Sequence, residues 1–149
     1  PANIKRRGRT SRRYPKRQYS LELRASRAPS APDTEAPLLG MPSGEDWALH
    51  GPYADRSLVR NALAMRLARS SGRYASRARF VELLVVESGS GAASYSRHYQ
   101  GVYLLLEKPR KGEARVAVAK RDRARPEDGG YIVELGTVSA DPGGGPRDP

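Results

Sequence analysis

The feature of this sequence that most constrains its fold is a pair of strongly β-prone runs separated by a long Gly/Ser-rich connection. The runs are residues 79–87 (RFVELLVVE) and residues 99–107 (YQGVYLLLE), and residues 88–97 between them are rich in Gly and Ser. Branched and aromatic residues favour extended backbone, and two such runs joined by a Gly-containing loop favour an antiparallel hairpin. The sequence therefore predicts a sheet built around this hairpin.

One segment has the pattern of an amphipathic helix. Asp55 is placed to act as its N-cap, the helix should run to about Ser71, and Gly72 can end it in a left-handed conformation. The residues predicted to form one apolar face are Leu58, Val59, Ala62, Leu63, Met65 and Leu67. This is the only strong helix that the sequence predicts.

Other segments predict further short strands. Residues 4–24 indicate two strands joined by a Gly/Ser turn, because apolar and polar residues alternate in the second part of this stretch. Residues 115–119 (RVAVA) and 131–135 (YIVEL) predict two more strands. Several strands and one main helix give an α+β fold class, with a lobe dominated by antiparallel sheet.

The domain organisation follows from the segments without a regular pattern. Residues 25–37 are rich in Ala, Ser and Pro, which predicts a surface loop or linker insertion within one domain over residues 1–135. Residues 136–149 contain mostly Gly, Pro, Asp and other small or polar residues, which predicts a disordered tail or a truncation artefact. The chain is therefore interpreted as a fragment of a longer protein.

Charge and composition limit the classes of function. The 149 residues carry a net charge of +11, which favours an anionic partner, although an Arg-rich surface also arises from a GC-rich genome. The absence of cysteine excludes disulfides and thiolate metal sites, and two histidines make no convincing metal site. No apolar run approaches the roughly 18 to 20 residues that a membrane span needs, so no span is predicted.

The first predicted turn contains the parts of a phosphate site. Gly8 begins a turn that is followed by Lys16 on or near a strand, and backbone N–H groups in a Gly-containing turn together with a cation can hold phosphate. The turn is neither a G-x-x-x-x-G-K-[ST] motif nor the G-x-G-x-x-G loop of ordinary kinases. A solvated basic hairpin is the alternative interpretation.

Four further polar residues are candidates for ligand contact. An Arg held on a helix can clamp phosphate, which makes Arg60 and its neighbour Asn61 candidates, although an exposed Arg and a packing or capping Asn would look the same. Gln100 and Glu107 flank the strand 102–106, where a polar side chain can meet a base edge or form an ion pair. A plain strand end is the alternative at Glu107.

Three collinear segments resemble the CotH (spore coat protein H) kinase family. They are RGRTSRRYPKRQYSLEL at residues 7–23, the long segment at residues 40–85 that begins GMPSGEDWALHGPY, and YQGVYLLLEK at residues 99–108. A weaker fourth segment, GGYIVEL at residues 129–135, is similar to the same pattern. Together they cover more than half of the chain.

The resemblance implies a fold and an activity. It implies the small, β-rich, ATP-binding lobe of an atypical protein kinase whose full-length form uses ATP and Mg²⁺ to phosphorylate protein Ser or Thr. The later Trp-Asp-Phe-Asp-like segment of the family, which resembles the metal-binding Asp of ordinary kinases, is not found here, since the single Trp is Trp47. We therefore expect no catalytic residue and no Mg²⁺ ligand in this chain, which alone should be inactive.

The resemblance also assigns residues. A Pro-Lys-Lys-Ser-Tyr-like pattern of the family places a Lys at Lys16, and a Met-Arg-Asn-like pattern includes Arg60 and Asn61. Ordinary kinases position the strand Lys with a Glu on the helix, and since none lies in this helix, Glu82 or Glu107 is expected to do so. The complete set expected to contact ATP or its phosphates is Gly8, Arg9, Thr10, Ser11, Lys16, Arg60, Asn61, Gln100 and Glu107.

Two other functions stay open from the sequence. The first twenty residues combine clustered Arg with Tyr14 and Tyr19, as in a basic nucleic-acid-binding module that contacts phosphates and stacks on bases. A non-catalytic role in the spore coat or at the cell surface is the other alternative, because CotH-like proteins occur there. The resemblance thus implies a bacterial protein of the spore coat, the cell surface or the secreted fraction.

Overall fold

The computed structural model describes residues 1–87, 91–119, 124–125 and 129–133. The chain divides into two compact units, Pro1–Ala117 and Val118–Pro149. The first unit contains every helix and strand of the described residues. In the second unit, the Gly130 amide donates a hydrogen bond to the Ala119 carbonyl at 3.2 Å.

The first unit is built on one five-stranded antiparallel sheet. Its strands lie in the order β1-β2-β3-β5-β4, so the strand that is last in sequence lies between the third and the fourth. The strands are β1 (Ala2–Arg7), β2 (Gln18–Leu23), β3 (Asp46–His50), β4 (Ala78–Leu84) and β5 (Tyr99–Glu107). With one main helix, α1 (Arg60–Ser70), this is an α+β small lobe, which confirms the predicted fold class.

The hairpin that dominates the sequence pattern is present. β4 and β5 pair in antiparallel register from Ala78 opposite Leu106 to Leu84 opposite Tyr99, with an irregularity at Leu83 and Leu84. The residues between the two strands include a short helix, α2 (Tyr95–His98), which leads directly into β5. Residues 88–90 of the predicted loop lie outside the described residues.

β3 is a strand that the sequence did not predict. It has only five residues and pairs with β2 on one side and with β5 on the other. Trp47 on this strand is fully buried, and its indole N–H donates to the Gly44 carbonyl at 3.0 Å. A run this short carries too little alternation to be recognised, and its burial between two longer strands holds it in place.

The core lies on one face of the sheet. Its central residues are Met41, Trp47, Leu49, Tyr103 and Leu105. Partly buried residues of β2 and β4 pack against them, namely Tyr19, Leu21, Leu23, Val81 and Leu83, together with Leu38 from the preceding loop. The core therefore joins strands that are far apart in sequence, and β5 supplies its centre.

The predicted start of the helix was wrong, and its predicted end was confirmed. α1 begins at Arg60 rather than after Asp55, because Leu58 adopts a left-handed conformation (φ 62°) that no α-helix can include. Gly72 (φ 76°) donates its N–H to Arg69, and the next amide reaches back to Ala68, which is a Schellman motif.

The structure does not contain the two additional short strands over the residues that it describes. Residues 115–119 form only one isolated bridge, between Val116 and Lys111, and residues 131–133 have no strand conformation. Among the described residues, neither segment has a partner strand with which to share a ladder of backbone hydrogen bonds. Residues 134–135 and the predicted tail 136–149 lie outside the described residues, and residues 25–37 form a loop with isolated bridges only.

Candidate functional site

The connection between β1 and β2 is a loop over residues 8–17 that begins with a glycine-dependent turn. β1 ends at Arg7, Gly8 turns the backbone with φ 103°, and Thr10–Arg13 forms a 3₁₀-helix before β2 begins at Gln18. A Cβ placed on Gly8 would collide with the Ser11 hydroxyl. Only glycine fits this conformation and this contact, so the turn brings Gly8, Arg9, Thr10 and Ser11 into one compact loop.

Arginines line a cavity at the base of this loop. The cavity has a volume of about 300 Å³ and is lined by Arg6, Arg7, Arg12, Arg17 and Gln18. The Arg17 guanidinium donates to the Arg12 carbonyl at 2.5 Å, and the Arg12 guanidinium donates to the Arg6 carbonyl at 3.3 Å. These bonds hold the arginines around a space of positive potential that suits an anion.

Lys16 is held in a partly buried position by the start of β5. Its ammonium lies 4.8 Å from the centroid of the Tyr103 ring, and a Cβ placed on Gly101 would lie only 3.1 Å from its Nζ. Its stem passes Gly51, where an added Cβ would lie 3.0 Å from Lys16 Cγ. Two glycines and an aromatic face thus form the channel in which this side chain lies.

No carboxylate in the described part of the chain neutralises the charge of Lys16. Over the residues that the structure describes, none of the ion pairs includes this ammonium. Burial lowers the pKa of Lys16 below its ordinary value. Burial also raises the pKa of Tyr103 to about 12, so this tyrosine keeps its hydroxyl proton under the lysine. A desolvated cation without a counter-ion gains free energy when an anion binds to it.

The expectation that Glu82 or Glu107 positions Lys16 was wrong. Glu82 accepts hydrogen bonds from the hydroxyls of Tyr95 and Tyr99 at 2.7 and 3.0 Å. Glu107 lies at the opposite end of β5 from Gly101, a separation of roughly 20 Å at about 3.3 Å per residue. Lys16 is therefore positioned by packing and not by a carboxylate.

Asn61 is connected to the sheet through a histidine. The Asn61 amide donates to His50 Nε2 at 2.8 Å, and His50 Nδ1 lies 3.3 Å from Gln18 Oε1. Because Gln18 Oε1 can only accept, Nδ1 carries the proton and Nε2 is free to accept from Asn61. The hydrogen bonds thus select the neutral Nδ1–H tautomer, and His50 precedes Gly51, which contacts Lys16.

The electrostatic surroundings of His50 agree with its neutral form. Burial lowers the pKa of His50, the nearby Arg7 lowers it further, and Asp55 opposes them.

Arg60, the first residue of α1, is largely exposed. Its side chain is 80% exposed, and its Nε lies 3.6 Å from Asp55 Oδ1. Asp55 Oδ2 also accepts the Arg60 amide at 2.9 Å, so this carboxylate holds the start of the helix although it is not the N-cap.

Gln100 and Glu107 occupy different environments on β5. Gln100 is exposed, donates to the His98 carbonyl at 3.3 Å and adjoins Gly101, so it lies at the same end of the strand as Lys16. Glu107 is fully buried, and its carboxylate accepts from Arg77 at 3.0 Å and from Arg115 at 3.1 Å. The structure therefore brings eight of the nine candidate residues to one end of the sheet or to the start of α1, and Glu107 lies at the other end.

Two tyrosines of the basic segment pack their rings against other tyrosines of the fold. Tyr14 stacks on Tyr53 with the ring centroids 5.1 Å apart, and Tyr19 packs against Tyr103 at 6.4 Å. Stacking on a base would require these rings to leave their partners. This arrangement weakens the case for a nucleic-acid-binding module.

The described ranges contain neither a metal-ligand cluster nor a membrane-spanning helix. There, no group of three or more His, Asp or Glu side chains is close enough to hold a metal ion. No helix of those ranges is long and apolar enough to cross a bilayer.

Sequence reasoning missed three residues that shape this region. Gly101 interrupts an otherwise β-prone run. An isolated Gly in a strand often marks a place where another group approaches the backbone closely, so the sequence contains a signal for the contact with Lys16. His50 and Gly51 had no such signal, because β3 was not recognised and a lone His is most often a loop or surface residue.

Comparison with known proteins gives one family. The sequence model of the family described as CotH kinase protein matches residues 4–142, which is nearly the whole chain. No curated protein and no solved structure shows significant similarity to this chain.

Proposed function

The chain belongs to the CotH kinase family, and we propose that its first unit is the ATP-binding lobe of an atypical protein kinase. A β-rich lobe with one main helix is the part of a kinase that holds the nucleotide. The loop between β1 and β2 takes the place of the glycine-rich loop, and Lys16 takes the place of the strand lysine.

The observation that carries this proposal is the partly buried ammonium of Lys16 next to a glycine turn, which pairs with no carboxylate of the described residues. Burial without a counter-ion disfavours the charged form, as the lowered pKa of Lys16 indicates. A phosphate bound there would supply the missing negative charge. The arginines of the cavity at the base of the loop, two from β1 and two from the loop, add positive potential.

The candidate residues take different parts in the proposed site. The turn of Gly8, Arg9, Thr10 and Ser11 presents backbone and hydroxyl donors to the phosphates, and Lys16 provides the charge. Gln100 borders the same end of β5 and is placed for the remainder of the nucleotide. Arg60 and Asn61 lie at the start of α1, where Arg60 is exposed enough to reach a phosphate oxygen.

Glu107 fits a supporting part better than a direct contact. Its two oxygens are already bound by Arg77 and Arg115, and no surface of its side chain is exposed. A nucleotide could reach it only by displacing an arginine. We therefore propose that Glu107 supports the lobe and does not contact ATP.

The residues of the chain fit ATP phosphates better than they fit Mg²⁺. Mg²⁺ needs carboxylate oxygens in a compact set, and over the described residues no such set is present. When bound, Mg²⁺ would neutralise phosphate charge during transfer to a protein Ser or Thr, with ligands that the family resemblance expects in a larger lobe. This part of the proposal concerns the full-length protein.

Isothermal titration of the full-length protein with ATP, with and without Mg²⁺, tests the proposal. Lys16→Ala is expected to weaken ATP binding at least about tenfold, because a cation–phosphate contact is lost in a partly buried site. The matched control is Lys5→Ala, which removes the same charge from an exposed position on β1. Absence of ATP affinity, or equal affinities of the two variants, would contradict the proposal.

The same variants separate the proposal from a nucleic-acid-binding module. If the chain binds single-stranded RNA through its overall charge, binding should weaken equally in Lys5→Ala and Lys16→Ala and should fall steeply with salt. Fluorescence anisotropy with a labelled oligonucleotide at near-physiological salt measures this. Tight RNA binding without ATP binding would favour the nucleic-acid-binding function.

A further inference from the structure

The main helix of the first unit is unusual because it buries none of its residues. Leu63 and Leu67 on α1 are 53% and 61% exposed, and Phe80 on β4 is 51% exposed. Among the strands that the structure describes, β4 is also an edge strand, with a neighbour on one side only. An amphipathic helix normally buries its apolar face, and its exposure here together with Phe80 marks a surface for a partner.

The exposed face forms one wall of a groove. The groove between α1 and β4, called here the α1–β4 groove, has a volume of about 590 Å³. Its apolar lining includes Val59, Ala62, Leu63, Met65 and Phe80. A groove of this size and composition accommodates one or two large apolar side chains.

Four arginines also line the groove. They are Arg66 and Arg69 on α1 and Arg77 and Arg79 at β4. Arg77 is paired with Glu107, whereas over the described residues no carboxylate pairs with the other three. Within the described ranges, Arg79 donates to the backbone carbonyls of Leu39 and Ala78, and Arg69 donates to that of Ala75. The lining of the groove therefore combines two kinds of residue, the apolar residues, called here its floor, and the arginines, called here its rim.

We propose that the α1–β4 groove binds an acidic protein segment that inserts large apolar side chains between α1 and β4. The apolar side chains would cover Leu63 and Phe80, and flanking Asp or Glu residues would pair with Arg66, Arg69 and Arg79. Arg–carboxylate pairs at the rim add direction and specificity to the apolar contact. This inference does not depend on nucleotide binding, because none of the groove residues belongs to the proposed ATP site.

The charge of the groove argues against the two other occupants. A second copy of the chain, docked by the same groove, would bring the rim arginines of both copies together, and the sequence of α1 contains no acidic residue to offset them. A nucleic acid would pair with the arginines but would leave the apolar floor without a partner. An acidic segment with apolar anchors matches both parts of the surface.

The direct test is fluorescence anisotropy of the full-length protein with a labelled synthetic peptide in which Leu and Phe are flanked by Asp and Glu. Two matched peptides serve as controls, one with Ser in place of the Leu and Phe residues and one with Lys in place of the acidic residues. Each control peptide should bind at least about tenfold more weakly, because each loses one half of the contact. Equal binding of the Ser peptide would overturn the proposal, since it would show attraction by charge alone.

Variants of the protein locate the binding. Leu63→Ser and the double variant Arg66→Glu/Arg69→Glu should each weaken peptide binding at least about tenfold. Both sites are on an unburied helix, so circular dichroism and the melting temperature should show that the fold is retained. The control Arg27→Glu changes the charge of an exposed residue in the loop 25–37 and should leave affinity within about twofold.

Two results would overturn the inference. One is that the groove variants bind the peptide as tightly as the parent chain. The other is that sedimentation shows a dimer which Leu63→Ser dissociates, since a second copy would then be the occupant. Retained monomeric state with groove-dependent peptide binding would support the proposal.

Discussion

The two ends of β5 carry buried charge in opposite ways. At its end, the Glu107 carboxylate accepts from Arg77 and Arg115, and the Arg77 amide adds a third hydrogen bond at 2.9 Å. Near its start, the Lys16 ammonium rests on Tyr103 beside Gly101 and has no carboxylate partner among the described residues. One end is electrostatically satisfied, and the other is not.

Because of this difference, the Glu107 end of β5 is suited to stabilising the fold, and the Lys16 end is suited to binding an anion. A buried carboxylate with two guanidinium partners cannot accept a ligand without losing them, so it holds the structure together. Arg115 reinforces this role, since it also donates to the carbonyls of Pro42 and Ser43 and lies 5.4 Å from the Trp47 ring centroid. An unpaired cation, in contrast, is available to an anionic ligand. We therefore expect substitutions at the Glu107 end to lower the free energy of unfolding and substitutions at the Lys16 end to lower ATP affinity as well.

The largest effect is expected at the satisfied end. Glu107→Gln leaves two arginines without their counter-charge, one of them almost fully buried, and should lower the free energy of unfolding by about 3 kcal/mol. Urea denaturation followed by circular dichroism measures this. The control Glu87→Gln removes an exposed carboxylate and should change stability by less than about 0.5 kcal/mol. A folded Glu107→Gln protein of parent stability that has lost ATP affinity would reverse the assignment and make Glu107 a ligand contact.

A smaller effect is expected at the unsatisfied end. Gly101→Ala places a side chain at φ 91° and pushes a Cβ to 3.1 Å from Lys16 Nζ, so it should cost about 1 to 2 kcal/mol and displace the ammonium. The control Gly72→Ala has a similar backbone penalty, at φ 76°, but its Cβ would meet no neighbour within 4 Å. Both variants should lose stability, whereas only Gly101→Ala should weaken ATP binding in calorimetry. Equal ATP affinities would break the link between Gly101 and the proposed site.

The smallest effect is expected from the pH dependence of His50. Its pKa is lowered in the folded chain, chiefly by burial and by Arg7, so near the ordinary pKa the unfolded chain binds more protons than the folded chain. Stability should therefore fall as pH drops from about 7.5 to about 5.5, because protonation of Nε2 also removes the acceptor for Asn61. Urea denaturation at both values, with His50→Gln as the comparison, isolates this contribution. If the variant and the parent lose the same stability, His50 does not act in this way.

Much of the fold follows from local patterns. The β4–β5 hairpin, the two strands joined at Gly8 and the end of α1 at Gly72 were predicted and confirmed, since each depends on residues close in sequence. The start of α1 was missed because one left-handed residue, Leu58, interrupts an otherwise helical pattern. The strand predicted over residues 115–119 did not form, and the part of the chain that the structure describes offers it no partner strand.

The candidate site was predictable only in part. The glycine turn and the lysine were found because a phosphate site needs those residue types near each other in sequence. His50, Gly51 and Gly101 were missed because they come to Lys16 and Asn61 from distant parts of the chain. The exposed face of α1 was also unforeseen, since the periodicity of a helix shows which residues share a face and not what covers it.

The sequence by itself determined the elements that depend on local backbone preference, on glycine conformation and on alternation of apolar residues. It also determined the membership of the chain in a kinase-like family. Only the tertiary structure decided that β3 lies between β2 and β5, that Lys16 has no carboxylate partner in the described chain, and that Glu107 is closed off by two arginines. The physical reason is that burial and charge pairing depend on which distant residues meet, and a local pattern contains no information about that meeting.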